Sequence, residues 1–342
     1  MLATLDGALA GAVRDQYERF PYPTLPLLAR VRREDSYLMN YEAAVYAAFA
    51  STQFAVARPR ILVAGAGTFE PCVAALANPE AEIIAMDLSG TALRRLRWHL
   101  NIHGVARKVE LVRGDILELA ERDGKFDYIV ATGLLHHLPF PEMGLAKLAN
   151  RLAPNGVMRL MLYSRQGRSQ VYRIREFADA LEIRRPAILR WAISKLPPDH
   201  PLRAHFHLYA DSASDAGIVD GFLHACDHGF DALECEDFLG REGLTAAKFL
   251  HPAGSRPQDL FGLLDGNPDL QRRSLGLSDW QRLAVLDRLR QLETNFNFLA
   301  CRKLDQEANR QHLRSASRVL LNPALARALE SPRGRLFLRA VY

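Results

Sequence analysis

The chain has 342 residues, of which 49% are hydrophobic and 24% are charged; this is the balance of a globular protein with a sizeable core. No apolar run approaches the ~20 residues that span a bilayer, and the first twenty residues lack the basic start of a secretion signal. The net charge of +5 comes from basic residues that are spread along the chain. Spread charges of this kind are typical of solvated helix faces and do not favour a nucleic-acid partner. We therefore expect a cytoplasmic protein without membrane contact.

Residues 1 to 57 are predicted to be helical, with one break. In "FPYPTLP" (20–26) three prolines forbid a helix and force an extended crossing. Tyr17 and Tyr22 flank this break. Two interpretations stay open: a lid that closes over a ligand and supplies a phenol, or a plain packing segment.

From residue 60 to 164 strands and helices alternate. The strand predictions are 60–65, 82–87, 109–115, 126–132 and 156–164, and helical periodicity fills the segments between them. Strands rich in Val, Ile and Leu that alternate with helices indicate a parallel sheet that is covered on both faces. The sequence thus predicts an α/β fold with a doubly wound, Rossmann-like sheet.

Small and acidic residues follow the ends of these strands, where ligands bind in open α/β sheets. Gly65-Ala66-Gly67 comes directly after the first strand, and its missing side chains let backbone amides approach a ligand. Asp87 ends the second strand and could accept both hydroxyls of a ribose. Asp115 ends the third strand, and "ATGLLHHLP" follows the fourth.

Taken in order, these residues resemble the class I S-adenosylmethionine-dependent methyltransferases. The resemblance is carried by "ILVAGAGTFE", by Asp87 and Asp115, and by "LLHHLPFPEMGLAKLANRLAPNGVMRLMLYS"; later stretches such as "YERFPYP" extend it over most of the chain. It implies S-adenosylmethionine as cofactor, with Asp87 at the ribose, Leu88 stacking beside it and Asp115 at the adenine. The full set of cofactor-binding residues that it implies is Ala64, Gly65, Ala66, Gly67, Asp87, Leu88, Asp115, Ile116, Thr132 and Tyr17.

Two positions depart from the usual pattern of that family. The acid near the start of the first motif is replaced by Val63, and the third glycine by Phe69. Either another group then holds the methionine ammonium or the affinity for the cofactor falls, and Phe69 is expected either to cover the methionine moiety or to obstruct it. The missing third glycine also argues against a dinucleotide, because no pyrophosphate could approach.

Methyl transfer from a sulfonium depends chiefly on holding the nucleophile in line with the methyl group. A base is needed only if the methyl acceptor keeps a proton near neutral pH. His137 and His136 follow the fourth strand and are the candidate bases, with Tyr22 as a third catalytic candidate. The alternative for the histidines is a structural role in which one bonds a neighbouring loop.

The rest of the chain divides into an insertion and an extension. Residues 165 to 243 are predicted to be mostly helical, further strands are predicted at 244–252 and 296–303, and the second of these is expected to be antiparallel. The domain prediction is therefore a helical lid at 1–57, a methyltransferase domain at 58–304 with a helical insertion at about 165–243, and a C-terminal helical extension at 305–342. "HACDH" carries His224, Cys226 and His228, but a helix end followed by a loop is the preferred interpretation, and no metal is expected.

The sequence predicts methyl transfer to a small-molecule acceptor. Methylation of a protein or a tRNA is the first alternative, because the Arg-rich helices could form a docking surface. A second alternative is a methyltransferase-like protein without turnover, in which Val63 and Phe69 have cost the chain its activity. A homodimer is a further alternative for the oligomeric state.

Overall fold

The computed structural model describes residues 2–31, 33–119, 124–252, 254–289 and 294–307. The helices are α1 (Leu2–Arg19), α2 (Arg33–Leu38), α3 (Tyr41–Phe49), α4 (Glu70–Ala77), α5 (Gly90–Ile102), α6 (Pro141–Arg151), α7 (Ser169–Ala180), α8 (Pro186–Ser194), α9 (Pro201–Leu208), α10 (Asp215–Phe222), α11 (Ala232–Arg241), α12 (Asp259–Leu263), α13 (Pro268–Leu275) and α14 (Asp279–Arg288). The strands are β1 (Arg60–Ala64), β2 (Glu82–Asp87), β3 (Val109–Arg113), β4 (Phe126–Ala131), β5 (Leu152–Ser164), β6 (Gly229–Phe230), β7 (Leu244–Phe249) and β8 (Asn295–Arg302).

One sheet organises these elements in the order β3-β2-β1-β4-β5-β8-β7, with the short β6 paired to β5. Strands β1 to β5 are parallel to one another, and β8 runs antiparallel to both β5 and β7. The predicted doubly wound, mostly parallel sheet with an antiparallel final strand is confirmed. The strand β5 begins at Leu152, four residues before the predicted start at 156.

Alternate residues of each strand supply the cores on the two faces of the sheet, as the two-residue period of a strand requires. In β1, Leu62 and Ala64 point into the core that also contains α6, α11 and α14. Ile61 and Val63 point into the opposite core, which contains α3, α4 and α5. The sheet is therefore buried on both sides, and only the ends of its strands are left to bind a ligand.

The inserted helices α7 to α10 have a core of their own. It includes Ile174, Leu189, Phe206 and Phe222, all fully buried or nearly so. The last helix of the predicted insertion, α11, packs instead on the sheet through Cys235, Phe238 and Leu239, as part of the first core. The separately packed part of the insertion therefore ends at α10.

Two further sequence predictions concern a C-terminal helical extension and the absence of membrane contact. Residues 308–342, most of the predicted C-terminal extension, lie outside the described residues, so that prediction stays open. Among the helices of the described ranges, none combines the length and apolar character that crossing a bilayer requires.

Candidate active site

A cavity of about 410 Å³ opens at the carboxyl ends of the parallel strands. It is bounded by the loop after β1, the ends of β2 and β3, the turn after β4, the segment around Tyr22, and the insertion. The sequence-predicted residues in its wall are Tyr17, Tyr22, Gly65, Ala66, Gly67, Asp87, Leu88, Asp115, Ile116, Thr132 and His137. Two predicted residues, Ala64 and His136, are fully buried and lie outside that wall.

The glycine loop after β1 has a backbone that other residues would strain. Gly65 and Gly67 have φ angles of +70° and +56°, in the left-handed region that costs other residues free energy. The N–H groups of Gly65 and Ala66 both donate to the carbonyl of Met86 at 3.0 Å, which ties the loop to the end of β2. A Cβ on Gly67 would lie 2.9 Å from the carbonyl oxygen of Tyr22. The two glycines are thus required for loop conformation and for the close approach of the N-terminal segment.

Asp87, at the end of β2, is held by backbone amides on both carboxylate oxygens. The N–H of Gly67 donates to Oδ2 and the N–H of Ser89 to Oδ1, each at 2.8 Å. Burial raises the pKa of Asp87, and these two amide bonds oppose that effect. Because a carboxylate oxygen has two lone pairs, each oxygen can still accept a hydroxyl. The geometry fits the role of a ribose-binding acid.

Asp115 and its neighbours form the adjoining part of the wall. The Oδ1 atom of Asp115 accepts the N–H of Leu117 at 2.9 Å and caps the short 3-10 turn Ile116–Glu118. This bond fixes the carboxylate at the cavity and leaves Oδ2 available to a ligand. Ile116 and Leu88 add apolar surface beside it, which suits the faces of a flat base.

Phe69 packs mainly away from the loop. Its ring meets His99 and His103 edge-on, with centroid distances of 4.9 and 5.9 Å, and it is 8% exposed within the core over α4 and α5. The ring also contributes to the cavity wall. The side chain therefore borders the cavity from the core side and leaves it open.

Glu70 and Arg159 are two of the charged wall residues that were not singled out from the sequence. Glu70 begins α4, and its Oε1 accepts the hydroxyl of Thr132 at 2.5 Å. Burial raises the pKa of Glu70, which the charge of Arg159 and the Thr132 bond oppose. The Nε atom of Arg159 is buried without a hydrogen bond to any described residue. This pair places one carboxylate and one guanidinium at the cavity.

The helix α1 is attached to the beginning of α5, beside Asp87. Glu18 accepts the N–H groups of Gly90 and Thr91 at 2.8 and 3.0 Å, and Arg113 donates to it at 2.9 Å. A carboxylate at a helix N-terminus is stabilising there because unsatisfied N–H groups point towards it. The hydroxyl of Ser89 also donates to the carbonyl of Tyr17 at 3.1 Å. The C-terminal end of α1 is thereby fixed beside Asp87.

The segment around Tyr22 covers the glycine loop. The hydroxyl of Thr68 donates to the carbonyl of Pro23 at 2.5 Å, and the phenol of Tyr22 donates to Oδ1 of Asp211 at 2.7 Å. The second tyrosine, Tyr17, donates to Oδ1 of Asp220 at 2.8 Å. The N-terminal segment and the insertion therefore meet across the cavity through two tyrosine–carboxylate bonds.

The two candidate bases have different surroundings. The ring of His136 stacks on Tyr163 with a centroid distance of 3.7 Å, behind the cavity wall. His137 lies in that wall, and its Nδ1 is 2.9 Å from the carbonyl oxygen of Cys226. A carbonyl only accepts, so Nδ1 carries the hydrogen and Nε2 of the neutral ring is an acceptor. Burial lowers the pKa of His137 to about 4, so the ring is neutral at pH 7.

His224 takes part in a chain of hydrogen bonds. Its Nδ1 accepts the N–H of Cys226 at 3.0 Å, so its Nε2 carries the hydrogen and donates to the phenol of Tyr17 at 3.1 Å. Burial lowers the pKa of His224 well below its usual range, which keeps this ring neutral too. The chain therefore runs from His224 through Tyr17 to Asp220.

One ligand atom each from His137, Asp220 and His224 lies within 4.8 Å of the others, close enough to surround a cation. To bind a metal, however, Nε2 of His224 would have to give up its hydrogen while Nδ1 accepts from Cys226. A neutral imidazole keeps one N–H hydrogen, so Nδ1 and Nε2 cannot both act as acceptors. The hydrogen bonds therefore fit a relay of donors and acceptors better than a cation site, and this set differs from the His224, Cys226 and His228 that the sequence brings together.

Tyr17, Tyr22, His137, Asp211 and Asp220 together form what we call the carboxylate wall of the cavity. Burial raises the pKa of Asp211, and it raises the pKa of Asp220 to about 7. Sequence reasoning missed both acids, because "YADSASDAGIVDGF" shows no spacing that separates them from ordinary helix-capping residues. Glu70 had a usable signal, since it directly follows the glycine loop whose usual acid is absent.

Comparison with known proteins shows what this chain is similar to. Residues 61–156 match the model of a protein family described as a methyltransferase domain. An uncharacterized protein from Synechococcus sp. is 29% identical over 306 residues, which cover 86% of this chain and 72% of that protein.

Solved structures show the same fold at low identity. PKMT2 from Rickettsia typhi has a TM-score of 0.64 at 18% identity, and the match covers 82% of this chain and 55% of that one. The structure of PKMT2 in complex with AdoHcy gives 0.59 at 17% identity and covers 78% and 54% of the two chains. The chain thus spans about half the length of these solved structures.

Proposed function

From the premise that this chain carries an S-adenosylmethionine-dependent methyltransferase domain, we propose that it transfers the methyl group to a small-molecule acceptor. The observation that carries the proposal is the single cavity shared by the glycine loop and the carboxylate wall. One side offers the groups that a nucleoside needs, and the other offers side chains that can hold and deprotonate a nucleophile. Both sides face the same space.

The proposed cofactor contacts follow from the atoms that are left available. Asp87 would accept the ribose hydroxyls, Asp115 would accept the adenine amino group through Oδ2, and Leu88 and Ile116 would flank the base. Gly65 and Gly67 would let the loop backbone approach the methionine part. Ala64, which the resemblance adds, would act only through its backbone, because its side chain is buried in the core.

We assign the methionine zwitterion to Glu70 and Arg159. The family acid that the chain lacks would stand at Val63, whose side chain is fully buried in the core over α4 and α5. Glu70 lies at the cavity with its carboxylate oriented by Thr132, and it can accept an ammonium. Arg159 carries an unused donor, which suits the carboxylate of the methionine part.

Bound S-adenosylmethionine supplies the electrophilic methyl group. The chain's own residues position the nucleophile opposite that methyl group, and positioning is the main source of rate enhancement in such a displacement. Tyr22 would orient the nucleophile, and Nε2 of His137 would accept a hydrogen bond from it. His136 would support His137 through the stacked Tyr163 without touching substrate.

Two of the alternatives, a tRNA acceptor and a protein without turnover, receive less support from the same geometry. A tRNA acceptor would bring phosphates towards Asp211 and Asp220, which their charges oppose. A protein without turnover was expected to have a wall of side chains where the methyl group points, whereas the cavity is open between the two sides. The carboxylate wall thus favours an active enzyme with a small acceptor.

Calorimetric titration with S-adenosylmethionine and S-adenosylhomocysteine tests the proposal. We expect micromolar binding of both to the full chain. Asp87→Ala should weaken binding by about 100-fold or more, because hydrogen bonds to a charged group contribute ~1.5–3 kcal/mol each. Glu110→Ala, at an exposed position of the neighbouring strand β3, is the matched control and should bind normally. Failure of the unaltered protein to bind either compound would contradict the proposed function.

A further inference from the structure

The carboxylate wall offers hydrogen-bond acceptors, and its donors are already used. The phenol hydrogens of Tyr17 and Tyr22 are committed to Asp220 and Asp211. The Nδ1–H of His137 is committed to the Cys226 carbonyl, so that Nε2 is left as an acceptor. A ligand that satisfies this wall must therefore bring several hydrogen-bond donors.

Each carboxylate in the wall also keeps one oxygen for a ligand. Asp220 is 5% exposed, and no residue in the described ranges donates to its Oδ2. The same holds for Oδ2 of Asp211, whose Oδ1 accepts from Tyr22. Both residues line the cavity, so a donor bound there could reach these oxygens.

The charges around the wall do not balance. Behind it, the guanidinium of Arg168 lies 3.4 Å from the Asp227 carboxylate, and that of Arg175 lies 3.9 Å from it. Arg168 also donates to the phenol of Tyr209 at 2.6 Å. Arg168 and Arg175 supply two guanidinium charges, and Asp227, Asp211 and Asp220 supply three carboxyl groups. When both acids of the wall are ionised, the carboxylates of this set therefore exceed the guanidinium charges by one.

We propose that the methyl acceptor is a small amine, which binds as its ammonium between Asp211 and Asp220 and gives its proton to Asp220 before methyl transfer. The inference rests on the proposed function. An ammonium brings three donors and one positive charge, which are the two things that the carboxylate wall lacks. An alcohol brings one donor and no charge, and a carboxylic acid brings the wrong charge.

The reaction then balances in two steps. The ammonium transfers one proton to Oδ2 of Asp220, which leaves a neutral amine with a free lone pair. That lone pair attacks the methyl carbon as the carbon–sulfur bond breaks, and the bonding electrons stay on sulfur as S-adenosylhomocysteine forms. The N-methyl ammonium product keeps its proton, and Asp220 releases the one proton that it took to water when the site opens. Burial holds the pKa of Asp220 at about 7, which suits a proton acceptor at neutral pH.

The sulfonium of the cofactor is the other cation that could compensate this wall. The effect of Asp211→Asn on cofactor binding and on amine binding distinguishes these two cations. If the sulfonium is the cation, Asp211→Asn should weaken S-adenosylmethionine more than S-adenosylhomocysteine. If the amine is the cation, Asp211→Asn should leave both cofactor affinities within about threefold and weaken only the amine.

The test uses three probes of equal length, which are n-pentylamine, n-pentanol and n-pentanoate, added to the full chain saturated with S-adenosylhomocysteine. We expect the amine alone to raise the unfolding midpoint, by about 3 °C at ten times its dissociation constant. Asp211→Asn should remove that shift, whereas Asp215→Asn, an exposed acid of α10 that pairs with Arg190, should keep it. With S-adenosylmethionine, mass spectrometry should detect N-methylpentylamine, and Asp220→Asn should slow its formation by about 100-fold or more.

Several results would overturn the inference. These are an equal shift with pentanol or pentanoate, a shift that persists in the Asp211→Asn, Asp220→Asn double variant, or a response limited to a lysine-containing peptide. Failure of S-adenosylhomocysteine to bind in the first place would instead contradict the proposed function. The two failures are therefore distinguishable.

Discussion

The hydrogen bonds on the two sides of the cavity join residues at very different sequence separations. On the cofactor side, Gly67 bonds Asp87 across 20 residues, and Asp87 bonds Ser89 across 2. On the carboxylate wall, Tyr22 bonds Asp211 across 189 residues, and Tyr17 bonds Asp220 across 203. The first set uses backbone amides, while the second joins side chain to side chain.

This difference indicates which part of the site depends on which part of the fold. Backbone amides near a strand end are positioned by the sheet itself, so the contacts of Asp87 form when β1 and β2 pair. The carboxylate wall exists only when α1 and α10 are both docked. Substitutions should therefore affect the two sides separately, except where the N-terminal segment touches the glycine loop.

Gly67→Ala is expected to have the largest effect, because it acts on that contact. The new Cβ would lie 2.9 Å from the Tyr22 carbonyl at a φ of +56°, so it would strain the loop and push away the segment that carries Tyr22. We expect S-adenosylhomocysteine to bind about 100-fold more weakly by calorimetry, since left-handed strain alone costs ~1–2 kcal/mol.

Gly104→Ala is the matched control for that substitution. Gly104 also has a φ of +70°, but a Cβ there would meet nothing within 4 Å. It should lower the free energy of unfolding by about 1 kcal/mol and leave cofactor affinity unchanged. Equal losses of affinity in the two variants would show that backbone strain, and not the contact with Tyr22, is responsible.

Glu70→Gln should have the next largest effect, and it should be confined to the cofactor side. Removing the charge proposed to hold the methionine ammonium is expected to weaken S-adenosylmethionine about 10-fold or more in calorimetry. Glu142→Gln removes an acid from the first turn of α6, so it controls for the loss of a favourable helix-dipole contact. Unchanged affinity of the Glu70→Gln variant would assign the ammonium to another group.

Asp220→Asn should change stability by an amount that depends on pH. Its folded-state pKa of about 7 lies above the ordinary value of ~3.9 for an unfolded chain. The stability contributed by its protonated form is therefore complete below pH ~4 and is lost as the pH rises through 7. At pH 8 the neutral amide should make the protein at least about 1 kcal/mol more stable than the unaltered chain, and at pH 4 the gain should vanish.

Denaturant unfolding at the two pH values measures this difference. Several charged and titratable groups of the described residues face Asp220: Tyr17, Tyr22, His137, Tyr163, Arg168, Tyr209, Asp211, His224 and Asp227. Asp215→Asn should show no such pH-dependent gain, because that acid is exposed and paired. A loss of stability at pH 8 in the Asp220→Asn variant would mean that its carboxylate is compensated by a cation in the free protein.

Phe69→Leu should have the smallest effect on the site. Its ring contacts His99 and His103 in the core, so we expect a loss of about 1 kcal/mol in the free energy of unfolding. Affinity for S-adenosylhomocysteine should change by less than about threefold. A large change in affinity would show that the ring lies over the methionine moiety.

The sequence predicted the sheet well, because apolar strands and helical periodicity are local signals. Each strand of the parallel region lies within a few residues of its predicted position, and Asp87 and Asp115 lie at the cavity as expected. The limits of the separately packed insertion were less visible. The pattern of α11 is that of any amphipathic helix, and only its contacts show that it packs on the sheet.

The carboxylate wall could not be predicted in the same way. Asp211 and Asp220 acquire their roles from Tyr22 and Tyr17, which lie nearly 200 residues away. The residues next to these tyrosines and acids in the sequence carry no pattern that predicts the two hydrogen bonds. His136 and His137 are adjacent in sequence, yet the 3-10 turn Leu135–His137 sends one ring behind the wall and the other into it.

The attachment of α1 through Glu18 has a consequence for the order of events in a catalytic cycle. The same short stretch of chain bonds the α5 N-terminus beside Asp87 and places Tyr17 in the carboxylate wall. If α1 moves away, both sides of the cavity open together. Under the proposed function, the methylated product and S-adenosylhomocysteine would then leave in a single event.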